Sequence, residues 1–246
     1  MLSEFLLKPE TSRRASWFLA ALVVSAWGLL FAWQRSPYAD LLGHEALAHH
    51  HVSFSMHLAL FLLSWLLMIL AMMLPVNLPV ILNARGGGAQ SFSITAAVVL
   101  GYSTPWVFFG LLAFLGDSLL HELTEHGGML EMASGFIAPS IILAAGIYQL
   151  TPTKRSFTER CGQPEKSRIA RAFPRGLRLG ALCMGSCWAL MLLMFALGHH
   201  RLDWMLIIGG FVFVERWVAW GHRLARVVGA ALVVYAVGTV IAMMWT

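Results

Sequence analysis

Sulfur and imidazole nitrogen are the metal-ligand donors this chain offers in quantity. The segment RLGALCMGSCWALMLLMFALG sets Gly180, Cys183, Cys187, Met191, Met194 and Gly198 three and four residues apart, hence on one stripe of a helix. Thiolate and thioether are soft ligands that select Cu(I), and two cysteines one turn apart can present both sulfurs to one ion. The same stripe also reads as plain apolar packing, with the glycines admitting a close neighbouring helix. A second sulfur-bearing segment, LLMILAMMLPVNLPVIL, puts Met68, Met72, Pro75 and Pro79 on one face with Met73 and Asn77 beside it. Two prolines four residues apart predict a bent or opened helix with freed carbonyls. Met72 is ten residues from the inner end of its segment and Cys187 nine from the inner end of its own, so the sulfurs could meet at one depth.

Nine of the ten histidines lie in three hydrophilic segments, 40–57, 117–131 and 199–203. HEALAHHHVSFSMH carries His44, His49, His50, His51 and His57; DSLLHELTEH carries His121 and His126; GHHRLD carries His199 and His200. Neutral imidazole is the commonest metal ligand and carboxylates complete such sites, so these segments read as a place where Cu(II), Zn(II) or Ni(II) is collected. His44 and His51 are two turns apart if 43–57 is helical, and His121 shares a face with Glu125. Glu215, within FVFVERWVAW, is an ionisable group inside an apolar stretch; a metal ligand, a proton acceptor and a salt-bridge partner are all open readings.

The elements that must position these donors are apolar helices. The chain is 59% hydrophobic and 12% charged, its mean hydropathy is strongly positive, and this predicts an all-α, polytopic transmembrane bundle. Apolar stretches near 16–34, 56–82, 93–116, 133–151, 178–198, 204–221 and 224–245 each approach the roughly 17–25 residues that cross a bilayer, giving about seven spans in one integral membrane domain. The first is read as a retained helix and not a cleaved leader, because its apolar run exceeds the roughly 7–15 residues of a signal peptide. Lysine and arginine concentrate in the N-terminus, at Arg85, in the loop 152–177 and at Arg223 and Arg226. The positive-inside bias then predicts the N-terminus inside, the C-terminus outside and the histidine-rich segments outside. The net charge of +5 is explained by this topology and calls for no nucleic acid. GGGAQS at 86–91 is a turn and not a phosphate loop, since no Lys-Ser/Thr follows it.

GIYQLTPTKRSFTERCGQP at 146–164, GLRLGALCMGSCWALMLLMFALG at 176–198 and DWMLIIGGFVFVER at 203–216 resemble an uncharacterised bacterial family of predicted metal-binding integral membrane proteins. AMMLPVNLPV and GYSTPW at 101–106 are similar to further stretches of it, so the likeness covers roughly residues 60–220. The family pattern has a cysteine where this chain has Phe157 and adjacent cysteines where it has Ser186 followed by Cys187; Cys161, Cys183 and Cys187 are the matched positions. The resemblance implies a multi-pass protein of the bacterial inner membrane that handles a metal. From the donors, the expected function is binding or transfer of a transition metal, copper first and zinc or iron after it, with delivery to a membrane metalloenzyme client. Histidines outside would collect the ion, and Met68, Met72, Met73, Met191 and Met194 would pass it toward Cys187 and Cys183. An accessory or assembly subunit of a membrane oxidase or monooxygenase, packed in the lipid bilayer against other subunits, is a second reading. A di-iron hydroxylase is a third, since His44 and His49–His50 resemble one of the several histidine boxes such an enzyme needs.

Overall fold

The computed structural model describes residues 13–35, 53–84, 91–126, 128–161, 169–197 and 202–245. They form eight helices: α1 Arg13–Gln34, α2 Phe54–Ala84, α3 Ser91–His126, α4 Gly128–Leu150, α5 Pro152–Cys161, α6 Ile169–Leu197, α7 Leu202–Trp217 and α8 Gly221–Trp245. Five of these are long and apolar enough to cross a membrane, or six if the bent pair of α4 and α5 counts as one span. The expectation was about seven. The difference falls partly at 204–221, where α7 has 16 residues and so reaches about 24 Å, short of a ~30 Å hydrocarbon layer.

Two stretches expected to be loops are helical. The part of the segment 117–131 up to His126 continues α3, because LLHELTEH contains no glycine or proline to interrupt a helix. The 152–177 loop contains α5, ten residues long, and the beginning of α6. The chain bends by 67° between Gly135–Leu150 and Pro152–Cys161. Thr151 makes that corner: its hydroxyl donates to the Tyr148 carbonyl at 2.7 Å and accepts the Lys154 amide at 3.3 Å, capping α5, while Pro152 takes the first helical position, where no amide proton is needed.

By internal contacts the chain divides into two units, 1–110 with 160–184 and 111–159 with 185–246, with boundaries inside α3, α5 and α6. In the first unit, α2 remains one helix of 31 residues through both prolines, so the expected opening does not occur. Pro75 cannot donate to the carbonyl of Ala71, and the indole of Trp27 on α1 takes that acceptor at 3.0 Å. Trp65 on α2 donates to the Trp106 carbonyl of α3 at 2.8 Å, its ring lying where any Cβ on Gly110 would stand 2.5 Å from it. Among the described residues, α3 and α6 approach each other closely at three glycines. A Cβ on Gly101 would lie 2.2 Å from the Phe173 carbonyl oxygen, one on Gly176 2.1 Å from that of Val98, and one on Gly180 2.3 Å from that of Tyr102. Gly176 and Gly180 form a small-xxx-small pair, the spacing that lets helix backbones touch in an apolar solvent.

In the second unit α4 packs on α8, with Gly146 and Gly229 at the closest point, and α7 packs on α8. The ammonium of Lys154, at the start of α5, is buried and bonded to the carboxylate of Glu215 on α7, beside the ring of Phe211. Tyr148 donates to the Gly185 carbonyl and meets Trp188 edge-on at 5.0 Å.

Gly180→Val should destabilise the protein by about 1–3 kcal/mol, the usual result of forced overpacking. Gly28→Ala, whose Cβ would meet nothing within 4 Å, should change stability by less than about 0.5 kcal/mol. Thermal unfolding of the detergent-solubilised variants by circular dichroism measures both, and equal midpoints would contradict the close crossing.

Candidate metal centre

The α3–α6 crossing places Tyr102 and Cys183 together. Gly180 lies against the backbone of Tyr102, and Cys183 follows it by one turn on α6. The Tyr102 hydroxyl and the Cys183 sulfur stand 3.2 Å apart. Asn77 on α2 joins them: its Nδ2 is 3.1 Å from the Tyr102 hydroxyl and 3.2 Å from the Cys183 sulfur, and it donates to the Met73 carbonyl one turn earlier at 2.9 Å. Its Oδ1 accepts from Cys161, the last residue of α5, at 3.5 Å; the Cys161 sulfur is also 3.9 Å from the Leu179 carbonyl. Asn77, Tyr102 and Cys183 are 0% exposed and Cys161 is 1% exposed.

Two thiols, a carboxamide and a phenol thus share one apolar interior within the first unit. A buried amide without partners costs several kcal/mol in such surroundings, so the network explains how Asn77 is tolerated there. One consistent arrangement has the Cys161 thiol donating to Oδ1, one Nδ2 proton on Met73, the other on the Tyr102 hydroxyl or the Cys183 sulfur, and the phenol proton on that sulfur. The sulfurs are the groups able to lose a proton and bind a soft cation, and ligation releases those protons. Among the described residues no three histidine, cysteine, aspartate or glutamate side chains group to hold a metal ion. The donors at this cluster are therefore two sulfurs and neutral oxygens, a set that suits a soft monovalent ion better than a hard divalent one.

Of the residues singled out from sequence, Cys183 lies in this cluster, and Met72 and Met73 are buried on the helix that carries Asn77. Cys187, Met191 and Met194 are buried in the second unit, Cys187 with the Ser186 hydroxyl 3.3 Å from its sulfur. Glu215 bonds to Lys154. His44, His49, His50, His51, His199 and His200 lie outside the described residues, as do the side chains of His121 and His126. His57 is buried at the start of α2. Where the resembled family has a further cysteine, the ring of Phe157 lies 2.9 Å from the position of a Cβ on Gly185.

The partners sequence reasoning did not assign are Asn77 and Tyr102, together with the pairing of Cys161 with Cys183. Their signals were present: a lone amide inside AMMLPVNLPV, the tyrosine of GYSTPW, and the Gly176/Gly180 spacing that makes Tyr102 a neighbour of α6.

Residues 62–239 match the family model PpoB2, described as a copper chaperone. No curated protein and no solved structure matches the chain.

Tyr102→Phe removes the hydroxyl shared by Asn77 and Cys183 and should destabilise the protein by about 1–3 kcal/mol, the usual result of orphaning a buried polar group. An unchanged unfolding midpoint in denaturant would show that the hydroxyl makes no such bonds.

Proposed function

The chain belongs to the PpoB2 family of copper chaperones, and from this premise we propose that it is a membrane-embedded chaperone which carries Cu(I) as cargo between Cys161 and Cys183 and hands it to a copper-requiring client protein. The observation that carries this reading is the convergence of both thiols on the amide of Asn77 inside a fully buried cluster. Five helices of sufficient length and apolarity support placement in a membrane, and the lysine and arginine bias supports an inner-membrane topology with the N-terminus inside.

Binding requires loss of the thiol protons, which places negative charge on sulfur in a low-dielectric interior. The Asn77 amide and the Tyr102 phenol are donors already directed at Cys183, so they stabilise that charge once it forms. A two-sulfur set leaves the ion open to an incoming ligand, which is what transfer needs. Met68, Met72 and Met73, on the helix of Asn77, are soft, uncharged stations for the ion's passage, and the histidine-rich segments on the outer side are where it would be collected. The client, on this reading, is a metalloenzyme of the same membrane.

Under anaerobic, reducing conditions the detergent-solubilised protein should take up one equivalent of Cu(I) in competition with a chromophoric chelator. Cys161→Ser and Cys183→Ser should each weaken binding by more than the roughly 10–100-fold that loss of an outer-shell partner costs. Cys187→Ser should stay within that range or below it. Wild-type affinity in both of the first two variants would exclude this site.

A further inference from the structure

We propose that the first two turns of α6 carry a binding site for the headgroup of an anionic phospholipid, held by Arg171 and Arg178 with Arg175 between them. The proposal rests on the membrane placement put forward above and is independent of copper.

Arg171, Arg175 and Arg178 stand four and three residues apart, so they share one face of α6. Arg171 and Arg178 are exposed and Arg175 is half-buried. No aspartate or glutamate occurs anywhere in α6. The part of α3 that lies against this end, around Val98, Gly101 and Tyr102, has no charged residue either. The face is therefore a concentration of positive charge that neither its own helix nor this neighbour offsets.

The length of α6 sets where that charge falls. Its stretch able to cross a membrane, Arg171–Met194, has 24 residues. It measures about 36 Å, one turn more than a hydrocarbon layer of ~30 Å requires. Residues 179–197 contain no charged side chain, so the excess belongs at the arginine end. Arg171 then stands at headgroup level. Arg175 and Arg178 begin about 6 and 10 Å deeper along the helix, and their long aliphatic stems carry the guanidinium groups back toward the phosphates.

The other exposed side of the same turns is apolar. Phe173 is 45% and Leu177 39% exposed, one turn apart. A water-soluble acidic segment would answer the arginines and leave these two side chains uncovered. A phospholipid answers both: its acyl chains cover Phe173 and Leu177, and its phosphate accepts from the guanidinium forks, which match phosphate oxygens in pairs. Arginines at the cytoplasmic end of a membrane helix are the groups that draw anionic headgroups. The site also touches the business of the cluster. Arg178 precedes Leu179, whose carbonyl is 3.9 Å from the Cys161 sulfur, and Cys183 follows one turn later. A headgroup held on this face fixes the depth of the helix that supplies Cys183.

The test titrates the full-length protein in detergent, free of copper, with short-chain phosphatidylglycerol and separately with phosphatidylcholine, and counts the bound lipids by native mass spectrometry. Phosphatidylglycerol should bind at least about tenfold more tightly. Arg171→Gln/Arg178→Gln should lose about fivefold for each arginine, roughly 30-fold together. Arg223→Gln/Arg226→Gln, at the start of α8, should keep the wild-type affinity. Equal affinities of the wild type for the two lipids would overturn the proposal, and this arm needs no variant. An unchanged affinity in the first variant would overturn it too, as would an equal loss in both variants, the mark of a general attraction to basic helix ends. Displacement of the lipid by inorganic phosphate at equal concentration would mean a free-phosphate site and would refute the lipid assignment. Alkaline carbonate extraction of membranes keeps this separate from the function proposed above: release of the protein would refute its membrane placement, whereas a retained protein with equal lipid affinities would refute the lipid site alone.

Discussion

The near-contact of the α3 and α6 backbones at Gly101, Gly176 and Gly180 is the constraint on which the first unit depends. In the lipid proposed as its solvent, helices would gain little from hiding apolar surface, since lipid is as apolar as a leucine side chain; association would come from close packing and from polar bonds between helices. Glycine supplies the first by bringing backbones within about 2–3 Å of where a Cβ would stand. That proximity then creates the second. With α3 and α6 this close, Tyr102 reaches Cys183 directly, and Asn77 on α2 reaches both. The bonds depend on the packing, because a β-carbon at Gly180 would meet the Tyr102 carbonyl and push apart the two helices that supply the phenol and the thiol.

The same solvent explains how α2 is treated. A helix carrying Pro75 and Pro79 leaves the carbonyls of Ala71 and Pro75 without intrahelical donors, and in the proposed membrane setting no water would be available to satisfy them. The Trp27 indole takes the Ala71 carbonyl, and Asn77 bonds the Met73 carbonyl one turn before it. An unsatisfied buried carbonyl would cost about 1–3 kcal/mol, so the Trp27 bond supports a helix that stays continuous where the sequence predicts a bend or an opening. The proline-bearing stretch and the site are one piece of structure, because Asn77, whose side chain joins the thiols, lies between the two prolines on α2.

What the sequence made legible follows from the range over which each signal acts. Apolar length and composition act within one helix, and the helical class and several of the spans were readable from them. The corner at Thr151–Pro152 and the helical start of α6 were not, since polar residues between apolar stretches look like a loop unless capping is considered. Periodicity placed Cys183 and Cys187 on one stripe, but a stripe cannot say which other helix faces each residue. Cys183 shares its surroundings with Cys161, 22 positions earlier, through Asn77, a residue that sequence reasoning had set beside the methionines and not among the ligands. Tertiary pairing of this kind leaves a trace in sequence at the small residues that permit it, and Gly176 with Gly180 was the trace here.

The distribution of polar groups also separates hard chemistry from soft. Glu215 had been open as a metal ligand, yet its carboxylate is bonded to the ammonium of Lys154. That ion pair occupies the carboxylate and takes it away from any other cation. The donors of the Asn77 cluster are instead two thiols, an amide and a phenol, groups that carry no charge while they keep their protons. Such a site can remain inside an apolar interior without a counter-ion, and it gains charge only when a cation replaces the thiol protons. On the proposed copper reading, which has the protein hold an ion and then release it, a thiol is a donor whose empty state is tolerable in an apolar interior. A carboxylate in the same place would need a permanent partner, as Glu215 has, and would no longer be free to bind.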